Sequence, residues 1–95
     1  MTIRVILSPK ACDEIRAIAS YLADYSPAAA SRFRDAMAKA LRQLSEYPNS
    51  VPPGLIPGMR SLIIGDTIIA YRRIGDAVQI FAVRHGRQGD ARAPR

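Results

Sequence analysis

The sequence predicts one α+β domain in which a strand and an antiparallel helical hairpin precede a three-stranded antiparallel meander. Three observations point to it. Ser8-Pro9 and Ser26-Pro27 each open an amphipathic stretch. Gly65-Asp66 and Gly75-Asp76 punctuate a run of β-branched and aromatic residues between 60 and 85. The stretch YPNSVPPGLIPG, residues 47–58, separates the two halves with prolines at 48, 52, 53 and 57, which neither a helix nor a central strand accepts.

Ile3, Val5 and Leu7 alternate with Arg4 and Ile6, the period of a strand. Ser8 then supplies a helix cap, and Pro9 sits at the first helical position, where its missing N–H costs nothing. Ala11, Ile15, Ile18 and Leu22 recur at spacings of four and three, one apolar stripe, while Lys10, Asp13, Arg16 and Ser20 fall elsewhere. Asp24-Tyr25 leaves only a short connection before the same device at Ser26-Pro27. Ala30, Phe33, Met37, Ala40, Leu41 and Leu44 form the second stripe, with Asp35 and Lys39 as an outward i,i+4 pair. Alanines at 28, 29, 30, 36, 38 and 40 keep this helix thin enough for close approach. So short a link predicts antiparallel helices.

In the meander, glycine supplies the positive φ angles of two-residue turns, and aspartate tolerates them. Two such turns place Arg60 opposite Tyr71, Ser61 opposite Ala70, and Tyr71 opposite Ile80. Arg60, Leu62, Ile64, Ile69, Tyr71, Ile80 and Ala82 then share one face, and Ile63, Ile68, Ala70, Phe81 and Val83 the other. A helical hairpin covers one face only. A sheet open to water normally alternates apolar with polar residues, yet this one is apolar on both sides. That predicts a face received by another chain. Residues 88–95, QGDARAPR, are expected to be a loose tail.

The 95 residues suffice for one modest core, burying about two-thirds of the unfolded surface. A net charge of +6 favours an acidic partner, nucleic acid or an acidic protein segment. Cys12 is the only cysteine, which excludes an internal disulfide and fits a reducing compartment; it reads as a small apolar residue beside a buried stripe. The N-terminus has no signal-peptide layout and no apolar run is long enough to cross a bilayer, so a cytoplasmic protein without membrane contact is expected.

Little in the chain carries chemistry. The glycines at 54 and 58 lack the Lys-Ser/Thr ending of a phosphate loop, and one cysteine with one histidine makes no zinc pattern; no metal or cofactor is expected. Asp66 and Asp76 are turn residues. What remains is Val83-Arg84-His85-Gly86-Arg87-Gln88. The sole histidine, His85, has the chemistry of a general acid or base in RNA cleavage, with Arg84 and Arg87 to stabilise developing charge. The simpler reading is a strand-end histidine bonded to backbone beside arginines that meet solvent or a partner's carboxylates, and it ranks ahead. For Arg60 the simpler reading is a stem lying over the Tyr71 ring.

The order of elements, with Ile15, Ile18 and Tyr25, Gly58-x-Arg60-x-Leu62, Ile69-x-Tyr71 and Val83-x-His85-Gly86-Arg87, resembles the ParE/RelE superfamily of toxins from type II toxin–antitoxin pairs, often called plasmid stabilisation proteins. The resemblance covers nearly the whole chain. RelE-like members are ribosome-dependent mRNA endonucleases with a catalytic arginine three residues before the middle-strand tyrosine. Here that position is Ile68, and no tyrosine follows Tyr71. The His-Gly-Arg ending looks like the ParE branch, whose members bind DNA gyrase and trap it on cleaved DNA. That branch usually continues with Arg and then Asp, where this chain has Gln88, Gly89 and Asp90. In both branches a largely acidic C-terminal segment of the antitoxin wraps the toxin. The resemblance thus implies a binding toxin without catalytic residues, with Arg60, Tyr71, Arg84, His85 and Arg87 facing gyrase or antitoxin. The alternative is an endonuclease acting on mRNA at the ribosome through His85, Arg87 and Arg60.

Overall fold

The computed structural model describes residues 3–51, 54 and 58–86. Strand β1 (Arg4–Leu7) leads into helix α1 (Pro9–Tyr25) and helix α2 (Pro27–Glu46); β2 (Met59–Ile64), β3 (Thr67–Ile74) and β4 (Ala77–His85) follow. The four strands form one sheet in the order β1-β4-β3-β2. The β-α-α-β-β-β architecture is the one expected.

Both serine caps form. Ser8 Oγ accepts the N–H of Ala11 at 3.1 Å and Ser26 Oγ that of Ala29 at 3.2 Å. Helix α1 runs through Asp24 and Tyr25, so the connection shrinks to Ser26, whose own N–H donates to the Leu22 carbonyl. One residue thus ends one helix and starts the next. The anticipated stripes are buried: Ala11, Ile18 and Leu22 from α1, and Ala30, Phe33, Met37, Ala40 and Leu44 from α2, joined by Ala29. Ile15 and Leu41 pack partly buried at their margins.

Gly65 and Gly75 each take φ +59°, and the register places Arg60 opposite Tyr71, Ser61 opposite Ala70 and Tyr71 opposite Ile80, as the two-residue turns require. Strand β1 lies parallel to β4, Val5 beside Val78 and Leu7 beside Ile80. Its entry is fixed to α2, because the Ile3 N–H donates to the Ser45 carbonyl at 2.9 Å and Ser45 Oγ donates to the Ile3 carbonyl at 3.1 Å.

One facial expectation is overturned. Ala70 pairs with Ala82 but Tyr71 with Ile80, so Phe81 is an extra residue, a β-bulge. Because side chains alternate, the extra residue exchanges the faces of everything beyond it. Val83, not Ala82, joins Ile69 on the helix side, where both are buried, and His85 turns inward beside Thr67. The Asp35–Lys39 pair is a second correction. Neither side chain makes an ion pair with a described residue; both line a cavity of about 430 Å³ between α2 and the β2–β3 turn. The expected loose tail, residues 88–95, lies outside the described residues.

Candidate partner-binding site

The sheet has one covered and one open face. Leu62, Ile69, Tyr71, Val78, Ile80 and Val83 meet the helices and form the core. On the open face cross-strand partners form rows: Ile63, Ile68 and Arg84; then Ser61, Ala70 and Ala82; then Met59, Arg72, Gln79 and Ile6; then Ile74, Ala77 and Arg4. Ile63 is 65% exposed and Ile74 45%, with Ile6 and Ile68 each at 39%. The face therefore combines β-branched apolar side chains with three arginines. Arg72 is preset among them: its guanidinium lies 5.6 Å from the Phe81 ring centroid and its Nε donates to Gln79 Oε1 at 3.1 Å.

The four candidate residues among those described, Arg60, Tyr71, Arg84 and His85, do not gather at one spot. Arg84 is exposed on the open face, opposite Ile68. His85 is buried, and its ring meets Phe33 of α2 edge-on. Tyr71 is a core residue, 2% exposed, and its hydroxyl donates to the Pro48 carbonyl at 3.3 Å. Burial pushes that hydroxyl's pKa above the ordinary 10.0, against the opposing pull of the Arg60 charge. Arg60 donates from its guanidinium to the Val51 carbonyl. Together these two residues hold the chain that leaves α2, and the Gly54 N–H closes the same region by donating to the Met59 carbonyl at 2.9 Å. Arg87 lies outside the described residues.

Arg60 and His85 stand four residues apart along β3, through their partners Tyr71 and Thr67. At the rise of a strand that is about 13 Å. Arg84 and His85, adjacent in sequence, point to opposite faces.

Glu14 was not among the residues the sequence singled out. Its Oε1 accepts the Val83 N–H at 2.8 Å, and its other oxygen pairs with Lys10 Nζ at 2.9 Å. Burial raises its pKa. The bond from Lys10, the Val83 N–H and the charges of Lys10 and Arg84 outweigh that and hold it below the ordinary 4.5. In sequence Glu14 is one more polar residue of α1 in an i,i+4 pair with Lys10; no local signal reveals a partner 69 residues away. Among the described residues no group of acidic, histidine or cysteine side chains is placed to hold a metal, and no helix is long and apolar enough to cross a membrane.

Comparison with known proteins agrees with this architecture. A search of curated proteins finds no match. Among solved structures, the chain is similar to one from the chromosomal ParDE toxin–antitoxin system of P. aeruginosa, with TM-score 0.73, 20% identity and coverage of 88% of this chain and 96% of that one. It is also similar to a chain of the RelBE2 toxin–antitoxin complex of Mycobacterium tuberculosis, with TM-score 0.67, 21% identity and coverage of 90% and 99%. At such identities these likenesses establish the fold. The family model for the ParE toxin of the type II toxin–antitoxin system parDE matches residues 5–89, nearly the whole sequence, and the chain belongs to that family.

Proposed function

We propose that this toxin acts by binding DNA gyrase, without breaking bonds itself, and that an acidic amphipathic segment of a cognate antitoxin neutralises it on the open face of the sheet. The observation that carries the reading is the composition of that face, Ile6, Ile63, Ile68 and Ile74 set among Arg4, Arg72 and Arg84. Exposed isoleucines suit the apolar stripe of a partner, and the arginines suit its carboxylates. The two solved structures named above come from toxin–antitoxin systems, which favours a partner of this kind.

The placement of the polar candidates supports binding over ribonuclease chemistry. General acid–base cleavage needs its groups within hydrogen-bond reach of one reacting centre. Of the set His85, Arg87 and Arg60, the two described members are engaged apart from each other: Arg60 at the Val51 carbonyl and His85 on the Phe33 ring. The target is intracellular, so the reading places the protein in the cytoplasm, and a plasmid-stabilising pair is the natural setting for such a toxin.

The deciding experiment sets the purified chain against gyrase with supercoiled DNA and, in parallel, against programmed ribosomes. Inhibited supercoiling with accumulation of cleaved DNA, and intact mRNA, is the expected result. Ribosome-dependent mRNA cuts that disappear in His85→Ala, with gyrase unaffected, would replace the reading with the endonuclease one. Harmless overexpression without an antitoxin would reduce the protein to a binding partner that has lost toxicity.

A further inference from the structure

We propose that Glu14 is the positioning residue for the C-terminal end of β4: by holding the Val83 N–H it fixes the bulge at Phe81, and with it which of Arg84 and His85 faces a partner. The partner's role rests on the reading of the open face given above; the latch itself does not.

Parity along β4 makes the case. The Ser8 N–H donates to the Ile80 carbonyl at 3.0 Å, so the backbone groups of Ile80 turn toward β1. In an unbroken strand those groups alternate sides, and the next N–H turned the same way would belong to Ala82. The extra residue hands that position to Val83. Strand β1 has ended by then, since Leu7 is its last residue and Pro9 opens α1. Among the described residues no strand remains on that side to receive the N–H. Glu14 fills the gap from α1, six residues past the Ser8 cap, at 2.8 Å. Lys10 and Arg84 supply the positive charges that keep the carboxylate ionised there.

The two registers differ sharply in what they present. With the bulge, Val83 and His85 lie on the helix side and Arg84 stands beside Ile68 and Ile63 on the open face. Without it the alternation reverses: Ala82 and Arg84 would face the helices, and Val83 and His85 the partner. A single acceptor outside the sheet therefore selects the side on which the cation appears. Glu14 touches no proposed partner; it acts through Val83.

The test uses the full chain and four variants: Glu14→Ala, Glu14→Asp, Glu14→Gln and, as a control of ordinary core loss on the same helix, Ile18→Val. NMR reads the Val83 amide and the ring contacts between Phe33 and His85, and gyrase inhibition is measured alongside. Glu14→Ala, and Glu14→Asp whose reach is shorter, are expected to speed Val83 amide exchange about tenfold and to lose the Phe33–His85 contact. Glu14→Gln, which keeps the acceptor oxygen, and Ile18→Val should retain both. Persistence of the ring contact and the Val83 shift in Glu14→Ala, or their loss in Glu14→Gln, would overturn the proposal. If the register changes while gyrase remains unaffected by any variant and by the parent chain, the latch stands and the functional reading fails.

Discussion

The rings of Phe33 and His85 meet edge to face, with centroids 6.0 Å apart and planes at 79°. The contact joins α2 to the last turn-proximal residues of the sheet and makes the sole histidine part of the packing. Aromatic pairs of this geometry couple by about 0.5–1.5 kcal/mol beyond the area they bury. A double-mutant cycle with Phe33→Leu and His85→Ala, read by urea unfolding, should return a coupling in that range. A coupling near zero would show that the ring contact with Phe33 does not hold His85 in place.

Arg60 and Tyr71 should behave as structural residues. Arg60→Met removes a donor from the Val51 carbonyl and Tyr71→Phe removes one from the Pro48 carbonyl. Each should cost about 1–2 kcal/mol of stability. Arg60→Met should also speed amide exchange at Gly54, whose bond to Met59 closes the same region. Toxicity per folded molecule should be unchanged, and a selective loss of toxicity at full stability would contradict this.

Ile63 offers the complementary case, because it is largely exposed on the edge strand. Ile63→Ser should shift stability by no more than about 0.5 kcal/mol. If the open face receives the antitoxin, the same change should weaken that complex about tenfold, as expected for an apolar anchor. Arg84→Glu should weaken it too, and should flatten the dependence of affinity on salt.

Glu14 predicts a pH dependence of definite sign. Its folded pKa lies below the ordinary 4.5, so its contribution is fully present above that value and is lost as pH falls through the lower folded one. Stability of the parent chain should decline through that acidic interval more steeply than stability of Glu14→Gln. Parallel curves for the two proteins would show that the carboxylate is not favoured by the fold.

The turn glycines should resist substitution. Gly65 and Gly75 both hold φ +59° with open space around a would-be Cβ, so the cost of alanine is conformational, about 1–2 kcal/mol at each. Gly54 differs: a Cβ there would sit 2.8 Å from the Met59 carbonyl oxygen, and alanine must displace backbone. Thermal unfolding of the three alanine variants checks all of them.

Much of the fold is written locally. Ser8-Pro9 and Ser26-Pro27 satisfy or forgo the first N–H groups of a helix wherever they occur, and Gly65-Asp66 and Gly75-Asp76 fix the strand register within a few residues of themselves. The apolar second face was legible for the same reason, since alternation follows from the pleat. The site was less legible. The sequence offers Arg60 and Tyr71 as partner-facing residues because nothing in it ties them to Val51 and Pro48, and the bulge, which no local signal marks, decides that Arg84 stands on the open face.

The sequence alone determined the two helices, the two turns and a sheet apolar on both faces, because each depends on dihedral preferences and spacings within one turn or one hairpin. Only the tertiary structure decided that β1 lies against β4, that Phe81 is a bulge, and that Glu14 receives the N–H this bulge exposes. Those features arise where distant segments compete for the same backbone donors, and a donor's partner across 69 residues leaves no periodicity in the chain.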